Sequence, residues 1–130
     1  MGAFVSGLDA GQIYQTWPLM GSNYFPDDFF FKNWINLFEF NNHSLVQFYH
    51  RNLAYLIFLY FFILTINIYN KKLSNLYKQL NFLIFFLFLQ IILGIFTLIS
   101  GLNILLASLH QITSVLLIFS ALNIYYFRAT

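Results

Sequence analysis

The chain has 130 residues, of which 60% are hydrophobic and 22% aromatic, while only 8% are charged. So few charges cannot cover a water-soluble globule of this size, which excludes a soluble domain and points to a membrane protein. The scattered net charge of +2 gives no reason to expect nucleic acid as a partner, and the absence of cysteine excludes a disulfide framework and a thiolate metal site.

Residues 1–8 lack the basic start and apolar core of a signal peptide and read as the last turns of a truncated helix. Residues 9–43 form a long polar and aromatic loop that carries Asp9, Asp27, Asp28 and Glu39 against Lys32, with Trp17 and Trp34 as interfacial anchors. Three windows, 44–69, 82–100 and 104–127, reach the roughly 20 apolar residues needed to cross about 30 Å of hydrocarbon. Asn42 or Ser44 is suited to cap the first of them, and His43 reads as a loop residue. Between the first two windows, residues 70–81 carry Lys71, Lys72 and Lys78 with no acid. The expected fold is an all-α membrane protein, with three transmembrane helices and the stump of a fourth forming most of an up-down four-helix bundle in 1–130.

Charge fixes the expected orientation. The lysine loop faces inside, the acidic 9–43 segment and the turn near 100–104 face outside, and Arg128 at the far end of the last span is again inside. The spans starting near 44 and 104 therefore run in the same direction. His50 and His110 each lie about six residues in, roughly 9 Å at 1.5 Å per residue. Two inward-facing imidazoles at one depth, on parallel helices across a bundle, are suited to grip a six-coordinate haem iron from both faces. On the second span Gln90, Gly94, Thr97 and Gly101 fall at i, i+4, i+7 and i+11, a stripe of small or polar residues along which a backbone or a flat ring can approach closely. Gln47 and Gln111 are candidate hydrogen-bond partners beside the two histidines.

Plainer readings compete. A histidine near the end of a spanning helix serves equally as an interfacial or interhelical hydrogen-bonding residue. The Gln90 stripe also reads as ordinary helix packing. Arg51 is placed to snorkel to lipid phosphates, or to pair with a haem propionate.

The stretches "GAFVSGLDAGQIYQTWPLMG", "VQFYHRNLAY", "QIILGIFTL" and "LASLHQ", in this order and at these intervals, resemble the carboxy-terminal half of haem A synthase of the mitochondrial and alphaproteobacterial type. The resemblance covers nearly the whole chain. It implies two similar four-helix bundles, the first and most of one helix of the second lying outside this sequence, so that the chain is a partial second bundle. It implies oxidation of the haem O methyl group to the formyl group of haem A for cytochrome oxidase. It further implies a b-type haem held in this half by His50 and His110, with Arg51, Gln47 and Gln111 nearby.

Implied partners are the missing amino-terminal bundle, haem O and the haem O synthase that supplies it, the lipid bilayer and further copies of the chain. The implied location is a bacterial plasma membrane or the mitochondrial inner membrane. Some relatives carry a cysteine pair in the outer loop, which this chain lacks. The first bundle of the family carries an E-x-x-H-R motif with a glutamate associated with catalysis. Here the position three before His50 is Gln47, an amide that cannot ionise, so no catalytic residue is expected in this half and the fragment alone is expected to be inactive. Two rivals remain from other classes, a bis-histidine cytochrome-like electron-transfer subunit and a structural or assembly membrane protein without haem.

The orientation is checked by impermeant thiol labelling of single-cysteine variants in sealed vesicles or cells. Ser22→Cys is expected to react from outside and Ser74→Cys only after permeabilisation; the reverse pattern contradicts the assignment.

Overall fold

The computed structural model describes residues 2–28 and 40–129. Lys32, Trp34 and Glu39, and with them part of the expected outer loop, lie outside the described residues. Among those described, the regular structure is helical, with one isolated bridge between Met20 and Asn23 in an otherwise irregular stretch over 13–28. A short helix α1 (Gly2–Gly7) leads into a 3-10 turn (Ala10–Gln12), and three long helices follow: α2 (His43–Asn70), α3 (Tyr77–Ile99) and α4 (Ile104–Ala129). All three are long and apolar enough to cross a membrane. At 28 residues α2 extends about 42 Å.

Local chemistry sets the helix ends. Asn42 caps α2 through its side-chain oxygen, which accepts from the Leu45 amide at 2.9 Å, and His43 becomes an exposed first residue of the helix. Capping thus pulls His43 out of the loop assigned to it from sequence. At the lysine-loop end of α2, labelled inner after the orientation expected from charge and opposite the end labelled outer, the Leu73 amide returns to the Ile68 carbonyl at 3.1 Å and the Lys72 amide to Tyr69 at 3.0 Å, with Lys72 at φ 50°. The same two-bond closure ends α3: Leu102 returns to Thr97 at 2.9 Å and Gly101 to Leu98 at 3.2 Å. Gly101 takes the left-handed position, φ 71°, that this closure requires. Asn103 then accepts from the Leu105 amide at 3.0 Å and opens α4. α3 runs on directly from a 3-10 turn at Ser74–Leu76, so that it begins at Tyr77 rather than near 82 and ends at Ile99.

Packing is uneven. α3 and α4 run together along their lengths, whereas α2 touches them sparsely. The inner ends are held by a cluster of Ile68, Leu76, Leu80, Leu83 and Ile124. At the outer end, Ala10 and Met20 of the first segment are buried, as are Leu45 and Val46 of α2. Gly11 lies against the Leu102 side chain, where an added Cβ would come within 2.8 Å. The outer segment therefore touches the start of α2 and the α3–α4 turn together, and it holds the His50 and His110 ends of the molecule on one side.

Candidate functional site

Gln47, His50 and Arg51 stand at i, i+3 and i+4 on α2 and so share a face. The outer segment lies across it. The Tyr14 carbonyl accepts from Gln47 Nε2 at 2.8 Å and from Arg51 Nη2 at 3.1 Å, and the Leu19 carbonyl accepts from Arg51 Nη1 at 3.1 Å. Gln47 is only 2% exposed, and its Oε1 is buried without a partner, as is Arg51 Nε. Two of the nitrogens of Arg51 are thus spent on backbone carbonyls within the chain, not on a lipid surface.

A second set of bonds fastens the same segment. The Tyr14 hydroxyl donates to Asp28 at 2.7 Å, and Ser44, in the first turn of α2, donates to the other Asp28 oxygen at 2.6 Å. Burial raises the Asp28 pKa, but the hydrogen bonds from Ser44 and Tyr14 outweigh it and hold the carboxyl below its ordinary 3.8. Asp27 is also lowered, by hydrogen bonds from the Asn23 side chain and from Ser22. Tyr24 reaches α2 directly, its hydroxyl donating to Asn52 at 2.5 Å.

His50 is half-buried one turn below Gln47. His110, also half-buried, rests against α3. Its ring covers Gly94, where an added Cβ would stand 2.9 Å from Cε1, and its Nε2 is 3.2 Å from Gln90 Nε2. Gln90 Oε1 in turn accepts from Thr113 at 2.6 Å. His110 Nδ1 is buried with no partner.

Below the histidines an apolar trough of about 380 Å³ opens between α2 and α4, lined in part by Ile57, Phe61, Leu117 and Ala121. These positions are i+7 and i+11 from His50 and from His110, the spacing that keeps residues on one helix face. The faces bearing the two histidines therefore converge on one trough.

Of the residues singled out by sequence, the structure sets Gln47 and Arg51 against the outer segment and His110 against α3. It leaves Gln111 and His43 exposed. Gln111 is one step from His110, about 100° around the helix, and so turns away from the α3–α4 seam. The amide beside His110 is instead Gln90 from the neighbouring helix. The stripe it shares with Gly94 is visible in the sequence, but the register that sets it opposite His110 is not.

The family model described as Cytochrome oxidase assembly protein (COX15-CtaA) matches residues 1–122. The chain belongs to this family. Among curated members it is 49% identical over 127 residues to the haem A synthase of Pelagibacter ubique, covering 97% of this chain and 37% of that protein. It is 45% identical over 123 residues to the haem A synthase of the Wolbachia of Brugia malayi, covering 93% and 34%. Against the haem A synthase of Bartonella tribocorum it is 38% identical, covering 100% and 36%. The chain thus spans about a third of the length of these relatives. No solved structure matches it. The family match, with three membrane-length helices, makes the chain part of an integral membrane protein, and the matched range contains the outer segment and both histidines.

The attachment of the outer segment to α2 is expected to depend on pH with a defined sign. Because the Asp28 pKa is lowered on folding, its contribution is complete above about pH 3.8 and is lost as pH falls through the lower folded value. The protection of amides 13–28, taken relative to their intrinsic exchange rates at each pH, should fall across that window, whereas Asp28→Asn should be less protected than the parent at pH 7 and lose much of this dependence. Equal protection in parent and variant at pH 7 would contradict the Asp28 clasp.

Proposed function

We propose that this chain is the haem-holding part of a haem A synthase, with His50 and His110 as the two axial ligands of a b-type haem. The observation that carries this reading is the convergence of the two histidine-bearing faces on one apolar trough between α2 and α4. Such a site suits a flat apolar macrocycle whose metal needs two imidazoles and whose acidic edge prefers the polar end. The chemistry of the donors also fits. Both rings are half-buried and neither is engaged by a carboxylate among the described residues.

A bis-imidazole haem supplies one-electron transfer when bound. The chain's own residues hold and shield it. His50 comes from α2 and His110 from α4, so ligation would tie the loosely packed α2 to the α3–α4 pair. Arg51 places a fixed positive charge at the outer edge, where haem propionates would lie, while the outer segment that it and Gln47 hold excludes water from that edge. Gln47, committed to the Tyr14 carbonyl, neither gives nor takes a proton at neutral pH.

In this reading no catalytic residue lies in the chain. Oxidation of the haem O methyl group to the formyl group of haem A, for cytochrome oxidase, belongs to the assembled enzyme. Its other partners are the remaining bundle, which carries the substrate site, and the synthase that delivers haem O. The outer segment faces outside and the lysine loop inside, in a bacterial plasma membrane or the mitochondrial inner membrane.

Visible spectra of the detergent-purified chain, reconstituted with haem b, test the assignment. The parent is expected to be low-spin and six-coordinate. His50→Ala and His110→Ala should each lose the haem or leave it five-coordinate, and His43→Ala should keep the parent spectrum. A six-coordinate spectrum in the His50→Ala/His110→Ala double variant, or equal loss in His43→Ala, would overturn it.

A further inference from the structure

The α3–α4 seam carries a polar chain that the site description above does not use. Thr113 Oγ1 has one proton and three acceptors within reach: Gln90 Oε1 at 2.6 Å, the Leu109 carbonyl at 2.9 Å and the His110 carbonyl at 3.1 Å. Gln90 Oε1 is the nearest. At 2.6 Å this contact has the length of an O–H···O bond and is short for N–H···O, so the amide turns its oxygen toward Thr113 and its NH2 toward His110. Gln90 Nε2 then faces His110 Nε2 at 3.2 Å as a donor, so this ring nitrogen must carry its lone pair. The ring proton falls to Nδ1, which is buried and unpartnered. A buried N–H without an acceptor is uncommon and asks for a reason. The ring lies directly on Gly94, where an added Cβ would stand 2.9 Å from Cε1.

We propose that Gln90, oriented by Thr113, is a positioning residue that presets the tautomer of His110, keeping the Nε2 lone pair available for a metal. The amide occupies this lone pair as a donor in the haem-free chain and gives it up on ligation, so that the ring needs no proton rearrangement to bind through Nε2. Gly94 supplies the room for the ring, and Gln90 the direction of its proton. The inference rests on the haem reading for its purpose, but the tautomer itself is a property of the haem-free chain.

The experiment uses the full chain in detergent without haem, its histidines labelled with ¹⁵N in the ring and the His110 signals identified by their loss in His110→Ala. At a pH where the ring is neutral, ring-nitrogen shifts distinguish protonated from bare nitrogen. The parent should show His110 with a bare Nε2 and a protonated Nδ1. Gln90→Leu and Thr113→Val should each move it toward the opposite tautomer, while a packing variant in the buried cluster, Ile124→Val, should not. Haem titration of the same proteins reads the haem assignment separately, and the parent is expected to bind haem.

A parent His110 with its proton on Nε2 would overturn the inference. So would a tautomer unchanged in both Gln90→Leu and Thr113→Val, with helicity confirming that the variants fold. If instead the parent shows the expected tautomer but binds no haem, the Gln90 assignment stands and the haem reading falls. If the parent binds haem with the opposite tautomer, the haem reading stands and Gln90 is only a packing residue.

Discussion

Polar groups inside a membrane-crossing chain must be satisfied by the chain itself, since hydrocarbon offers no partner and a charged side chain there costs about 3 kcal/mol by insertion scales. The structure is organised around this constraint at its outer end. Gln47 and Arg51 stand where α2 passes from the polar segment into its apolar run, and both turn to the same acceptor, the Tyr14 carbonyl. That one carbonyl ties residues 14 and 51 together, and it brings down a segment whose own apolar residues, Ala10 and Met20, are buried against the molecule. Because the same segment touches Leu102 in the α3–α4 turn through Gly11, the outer ends of all three long helices are coupled through it.

The contrast between helix pairs gives this coupling its meaning. α3 and α4 are joined by a continuous seam, from the Leu80 and Ile124 cluster at the inner end to Gly94 beneath His110. α2 is joined at its two ends, by the inner cluster and the outer clasp, and leaves an apolar trough along its middle. A helix held at both ends and open at its centre is the arrangement expected where something flat and apolar is to be enclosed. The α3–α4 pair supplies the rigid wall, and His110 is built into that wall.

Much of this was legible in the sequence because it is written in hydropathy and spacing. Three apolar windows yielded three helices. Asn42 and Ser44 both offered a capping side chain, and Asn42 is the one that caps. What escaped the sequence depends on rotation and register between helices. Gln111 adjoins His110 in the chain but points away from the seam, whereas Gln90, twenty residues earlier, meets the ring because the turn at Ser100–Asn103 sets α3 and α4 in step. Arg51 read equally well as a partner for lipid or cofactor. That it is held by the Tyr14 and Leu19 carbonyls required a tertiary fold of the outer segment, for which periodicity gives no signal.

The central claim is that one chain places two of its own imidazoles on one iron. Pulsed electron paramagnetic resonance on the oxidised, haem-loaded chain, with ¹⁵N in its histidine rings, measures this most directly through the couplings of coordinated nitrogen. The account predicts two ¹⁵N imidazole ligands per iron at one haem per chain, falling to one when either His50 or His110 is replaced. A single coordinated imidazole in the parent, or two that persist after His110 is removed, would contradict it.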